Sequence, residues 1–351
     1  MKKVATFSSA LFVAGLLFAA AAPKLDPLPV PLSGNVVVSL KAHGSLLYYS
    51  LMGIGPKKTW DAVTNAAYAL DPETGKWSQV RPVPGTAGRL GASAVAAREQ
   101  LFLLGGLVLD SQGGVSVVPD LNVYEPLTDR WYRGSDLPVR VAESVAGVYR
   151  DRYVYVIGGW SSGKGVTDVQ VYDAEKDNWL GASSMPSQGV FGHAGAIVDD
   201  TIVYVDGAYR KLGEPGYLTS DECWMGKIDH KDPTKIQWTK LPGHPGAARF
   251  GIAAAGSEKD RKIYFLGGSG TVYGFNGLAR DGTPVKPSPL TFAFNLRDGK
   301  WEVINAETPN PAMDQRGFIV TSQGLVTIGG MEAGQKVSAA VRILPKQSRS
   351  Q

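Results

Sequence analysis

The chain has 351 residues, 36 Lys and Arg against 32 Asp and Glu, a formal net charge of +4 and one cysteine, Cys223. The densest basic groups, Lys57-Lys58 and Lys259 to Lys262, are short and mixed with acids, so there is no basic stripe for nucleic acid. A lone cysteine excludes an internal disulfide, and 43 glycines with 22 prolines suit short strands joined by many turns.

At the N-terminus, Lys2 and Lys3 precede an apolar run from Val4 to Phe18, and Ala19 to Ala22 supply small residues for cleavage. Residues 1–22 therefore read as a signal peptide, too short in its apolar run for a typical membrane span. The expectation is a periplasmic or secreted chain, with no membrane attachment after cleavage. A proline-rich stretch follows at residues 24–33, KLDPLPVPLS.

The remainder repeats. The clearest copy runs from Arg140 to Trp179. It holds a small-residue strand, then a β-branched and aromatic strand, Tyr153 to Ile157, ending in Gly158-Gly159. An alternating strand to Tyr172-Asp173, a turn and Trp179 complete a four-stranded antiparallel unit. The glycine sites end at Gly55, Gly106, Gly159, Gly207, Gly268 and Gly330, spaced 51, 53, 48, 61 and 62 residues apart. Tryptophans recur at Trp77, Trp131, Trp179, Trp238 and Trp301.

Glycine pairs followed by a tyrosine-rich strand and a tryptophan resemble the kelch repeat, with its period of about 50 residues. The resemblance implies an all-β, six-bladed kelch-type β-propeller over residues 23–345, with 346–351 as a polar tail. One such sheet exposes two apolar faces and must pack against copies of itself. After the sixth glycine pair only one strand remains, Lys336 to Leu344, and residues 24–33 resemble the fourth-strand ends elsewhere. The N-terminal strand is therefore expected to close the last blade, leaving no free edge.

A site is expected where the long connections after the glycine pairs gather: Leu107 to Pro119, Trp160 to Thr167, Tyr209 to Asp221 and Ser269 to Pro289. Arg89, Arg140, Arg249 and Arg316 precede the second glycine of their blades by 17, 19, 19 and 14 residues, which predicts convergence near the axis. Planar guanidinium donors beside Trp160, Tyr209, Tyr217, Tyr273 and Phe275 suit a carbohydrate or acidic small molecule. Acid–base candidates on this face are Glu143, Glu214, Asp221 and Glu332, with His193 near the channel. Cys223 reads as a small buried hydrophobe. The four histidines are not paired with tyrosines as a copper radical site needs, so a copper centre is not expected.

The block RLGASAVAAREQLFLLGG, the glycine-rich insertion after Gly268 and the block QRGFIVTSQGLVTIGGMEAGQKV resemble the N-acetylneuraminate epimerase (sialic acid mutarotase) family. In that family's pattern Arg89 and Arg316 fall on arginines, whereas the position after Gly207, expected to be glutamate, is Ala208. The resemblance implies cofactor-free ring opening and reclosure at an anomeric centre. Glu214 or Glu332 would serve as base, Arg316 would hold a substrate carboxylate, and Arg89, Arg140, Arg249, His193, Trp160, Tyr209 and Tyr273 would bind the ligand. The alternative is a non-catalytic propeller that binds a glycan or a protein partner through the same loops.

Overall fold

The computed structural model describes residues 23–85 and 88–346. The expected signal peptide and residues 347–351 of the expected tail lie outside the described residues. Five four-stranded antiparallel sheets follow one another along the chain. Their first strands are Val36–Ala42, Ser93–Ala97, Val145–Tyr149, Ala194–Val198 and Phe250–Ser257. Each meanders outward through three further strands, as in Val145–Tyr149, Tyr153–Ile157, Val169–Asp173 and Asn178–Gly181. A three-stranded sheet of Ile319–Val320, Leu325–Ile328 and Val341–Leu344 comes last. The only helical elements among the described residues are the 3-10 turns Trp60–Ala62 and Ala333–Gln335. The fold is an all-β propeller.

Its core lies between sheets rather than within any one of them. Tyr155, Ile157 and Val171 of the third sheet pack on Ile202 and Tyr204 of the fourth. Val203 and Cys223 of the fourth meet Phe265 and Phe292 of the fifth. Interdigitated faces of this kind explain the β-branched and aromatic second and third strands. The glycine pairs let the backbone of the next sheet pass closely: a Cβ on Gly105 would stand 2.2 Å from the Val141 carbonyl oxygen.

The tryptophans tie each sheet to its predecessor. Trp131, Trp179, Trp238 and Trp301 donate their indole N–H to the carbonyls of Arg81, Ser135, Ser183 and Pro242, each just past the fourth strand of the sheet before. Trp77 does the same to the Asp26 carbonyl at 2.9 Å. The N-terminal segment runs beside the C-terminal sheet, with Leu28 N–H bonded to Ala339 O and Leu32 N–H to Ser338 O.

Three of the connections expected as plain loops instead form two-stranded ribbons. These are Leu107–Leu109 with Val115–Val117, Trp160–Ser161 with Lys164–Gly165, and Ala208–Tyr209 with Leu218–Thr219. Residues of all three sequence segments reach the walls of a single cup or the packing behind them.

Candidate functional site

Each sheet is entered through a residue with a left-handed backbone. These are Gly34, Gly91, Glu143, Gly192, Gly251 and Asp314, with φ of 64°, 61°, 57°, 60°, 65° and 56°. Their main chains interlock around the axis. Gly34 N–H bonds to Asp314 O, Glu143 N–H to Gly91 O, Gly192 N–H to Glu143 O and Gly251 N–H to Gly192 O. Four of the six positions are glycine, which adopts this conformation without a Cβ penalty. At the other two stand carboxylic acids, Glu143 and Asp314, and both face the same space. A strained backbone at a carboxylate is a pointer to function.

That space is a cup of about 280 Å³. Its wall is a run of edge-on rings: Tyr217 against Phe191 at 4.8 Å, Phe191 against Phe250 at 5.6 Å, and Phe250 against Tyr273 at 5.2 Å. Trp160 joins them by donating Nε1–H to Tyr217 Oη at 3.1 Å. Leu90, Leu107, Leu109, Val272 and Phe275 fill the rest of the lining. The floor is ionic. Arg316 Nη2 donates to Glu143 Oε1 at 2.7 Å and approaches Asp314 Oδ1 at 3.3 Å, and Ser33 Oγ donates to Asp314 Oδ2 at 3.0 Å. Tyr273 Oη accepts the Asp314 backbone N–H at 3.0 Å, which ties the wall to the floor. Glu143 Oε2 and Arg316 Nε are buried and have no hydrogen-bond partner among the described residues.

Below the floor an axial channel of about 320 Å³ runs between the first strands, and Glu143 and Arg316 line both spaces. His193 lines the channel, and among the described residues neither ring nitrogen has a side-chain hydrogen-bond partner.

A family model, the Attractin/LZTR1 beta-propeller, matches residues 51–337. The chain belongs to this family. Within the Attractin/LZTR1-type propellers and their kelch relatives it is similar to the N-acetylneuraminate epimerase of Haemophilus influenzae (strain 86-028NP). The two are 24% identical over 392 residues, covering 98% of this chain and 97% of the relative. Kelch-like protein 34 of Homo sapiens is 26% identical over 299 residues, covering 81% of this chain and 41% of that one. The solved structure of YjhT superposes with a TM-score of 0.71 at 21% identity, covering 90% of this chain and 95% of that one, a likeness of fold.

In this Attractin/LZTR1-type propeller, of the residues expected at the site, Arg316, Trp160 and Tyr273 line the cup and His193 lines the channel beneath it. The expected convergence of four arginines does not occur. Arg89 is buried in its own sheet, donating to Gly105 O at 3.0 Å and to Asn122 Oδ1 at 2.7 Å. Arg249 likewise donates to Gly267 O at 2.9 Å and Leu290 O at 3.0 Å, and lies over the Phe292 ring. Both satisfy carbonyls that the turning glycines leave open. Arg140 is exposed and outside the cup. Neither expected base lines the cup. Glu214 is exposed beside Lys211, and Glu332 is held by Ser338 and Arg342. Tyr209 packs against the core between the third and fourth sheets instead.

Sequence reasoning gave Glu143 no special place among the acids and passed over Asp314, Phe191 and Phe250. A signal existed. Ser33-Gly34-Asn35, Leu90-Gly91-Ala92, Phe191-Gly192-His193 and Phe250-Gly251-Ile252 align with Ala142-Glu143-Ser144 and Met313-Asp314-Gln315, where the glycine is replaced by an acid.

Burial pushes the Glu143 carboxyl above the usual carboxylate range, against the pull of Arg316 and with Asp314 adding to the rise. Burial opposes the charge on Arg316, but Glu143, Asp314 and Tyr273 outweigh it and hold the guanidinium protonated. The Tyr273 hydroxyl is lifted well above its ordinary value, by burial first and by Asp314 second. Among the described residues no three His, Cys, Asp or Glu side chains gather as a metal site.

Proposed function

We propose that the chain is an exported six-bladed propeller, closed by its N-terminal strand, whose cup binds a carbohydrate and speeds the interconversion of its anomers. Closure is supported by Trp77, which bonds to Asp26 as the other tryptophans bond to the preceding sheet. The observation carrying the catalytic reading is Glu143: a carboxyl with lifted pKa and one unpaired oxygen, at the foot of an aromatic cup. A carboxyl lifted above its usual range is a stronger proton acceptor than a solvated one, which suits general acid–base catalysis.

In this reading the aromatic wall takes the C–H face of the sugar ring, and Glu143 accepts the anomeric hydroxyl proton as the carbonyl forms, the bond from the anomeric carbon to the ring oxygen breaks and the ring oxygen takes a proton from water. Arg316 stabilises the negative charge that develops on oxygen, a role for which fixed donors in a dry site are effective. On reclosure the hydroxyl formed at the ring oxygen attacks the other face of the carbonyl and gives its proton back to water, and Glu143 returns its proton to the new anomeric hydroxyl. The role expected of Glu214 or Glu332 passes to Glu143. The similarity to N-acetylneuraminate epimerases over nearly the whole chain supports the same class of reaction.

Exchange spectroscopy by NMR on free reducing sugars, with and without protein, tests this. Acceleration is expected, and Glu143→Gln should remove it by on the order of 10²-fold or more while the circular dichroism spectrum is unchanged. Saturable sugar binding with no acceleration would instead make the protein a lectin-like binder. Neither binding nor acceleration would end the carbohydrate reading.

A further inference from the structure

Taking the cup as a sugar site, we infer that it selects neutral sugars over sugar acids. The charged side chains lining the cup are Glu143, Asp314 and Arg316, two carboxylates against one guanidinium. Arg316 Nη2 stands 2.7 Å from Glu143 and 3.3 Å from Asp314, so a ligand carboxylate drawn to the guanidinium would be brought close to two like charges. Among the described residues no lysine and no second arginine lines the cup. Arg280 is beside Asp281 in an adjoining groove that shares Tyr217 and Tyr273 with the cup.

An anion entering this cup therefore leaves water for an apolar wall and a floor with more acids than bases. Desolvated charge needs a partner, and like charges brought together are a strong basis for rejection. A neutral pyranose meets neither penalty. Its C–H face covers the rings while its hydroxyls, which both donate and accept, meet the mixed floor of Glu143, Asp314 and Arg316 without adding charge.

The test pairs compounds that differ only at C6, hydroxymethyl against carboxylate: glucose with glucuronate, and galactose with galacturonate. Binding is read by saturation-transfer NMR and turnover by anomer exchange, both at pH 7. The neutral member of each pair is expected to bind and turn over about tenfold better or more. Asp314→Asn, which suits a left-handed backbone and releases Arg316 from one partner, should narrow that gap by strengthening binding of the acid. A sugar acid that binds as well as its neutral counterpart in the unmodified protein overturns the selection while leaving the sugar site intact. Absence of binding by every member of both pairs overturns the sugar site itself, and the selection with it. If Asp314→Asn fails to fold, the comparison in the unmodified protein still decides.

Discussion

Glu143 and Asp314 show how one residue can be spent against local preference. At φ of 57° and 56°, both hold a backbone that costs a non-glycine residue roughly 1–3 kcal/mol, at positions where four counterparts are glycine. The fold tolerates this because the main chain on either side is locked into the bonds around the axis. His193 represents a different cost. Burial brings its pKa from the ordinary 6.5 down to about 4, against a smaller upward pull from the Ile157 main chain, and Glu143 and Arg316 line the channel it faces. The folded protein thus binds fewer protons here than the unfolded chain between those pH values. Stability from this group is full above about pH 6.5 and is lost as pH falls toward 4, by on the order of 3 kcal/mol. His193→Gln should flatten that acid limb, so urea midpoints at pH 7 and pH 4 should differ less in the variant than in the parent. Parallel losses in the two proteins would mean that His193 is hydrated and titrates normally.

The connection between Lys262–Ser269 and Thr291–Asn295 is long, yet it is pinned. Tyr273 reaches from it to take the Asp314 N–H, at the one junction of the axial main-chain bonds where a side chain intervenes, and Gln335 holds its far end by donating to Val285 O at 2.8 Å. Gly251 makes room, since a Cβ there would stand 2.1 Å from Tyr273 Oη. Tyr273→Phe keeps the ring and deletes the acceptor, leaving a buried N–H unpaired. A loss of about 1–3 kcal/mol in urea denaturation is expected, with faster amide hydrogen exchange in residues 270–285. Unchanged stability and exchange would show that the hydroxyl anchors nothing. Elements like the sheets were legible in the sequence because glycine pairs and tryptophans recur with the backbone geometry they serve. The arginines misled for the same reason. Arg89 and Arg249 recur because each satisfies a glycine carbonyl in its own sheet, so their spacing encodes the repeat. Arg316, at 14 residues from its second glycine rather than 17 or 19, is out of register, and it is the one that faces the cup. Departure from the repeat, in Arg316 as in Glu143 and Asp314, was the better guide to the site.

For the whole molecule, the question is what keeps sheets joined edge to axis from splaying apart. Every tryptophan bond described here except one links consecutive sheets through chain that is already continuous. The exception is Trp77 to Asp26, where the first sheet meets the N-terminal segment that itself lies against the C-terminal sheet. Leu28 and Leu32 pack there with Tyr48, Ile319, Val326 and Ile328, and each is 2% exposed. If this segment completes the last blade, its leucines are core residues of the whole ring despite their place near the start of the chain. Leu28→Ala and Leu32→Ala should then each cost about 2–5 kcal/mol, as in a closed core. A loosely attached strap would lose only about 0.5 kcal/mol. The effect should also reach the cup, because Gly34, two residues beyond Leu32, bonds to Asp314 on its floor. Urea midpoints and sugar affinity measured on the same variants should therefore fall together. Affinity that holds while the midpoint drops would separate ring closure from the site.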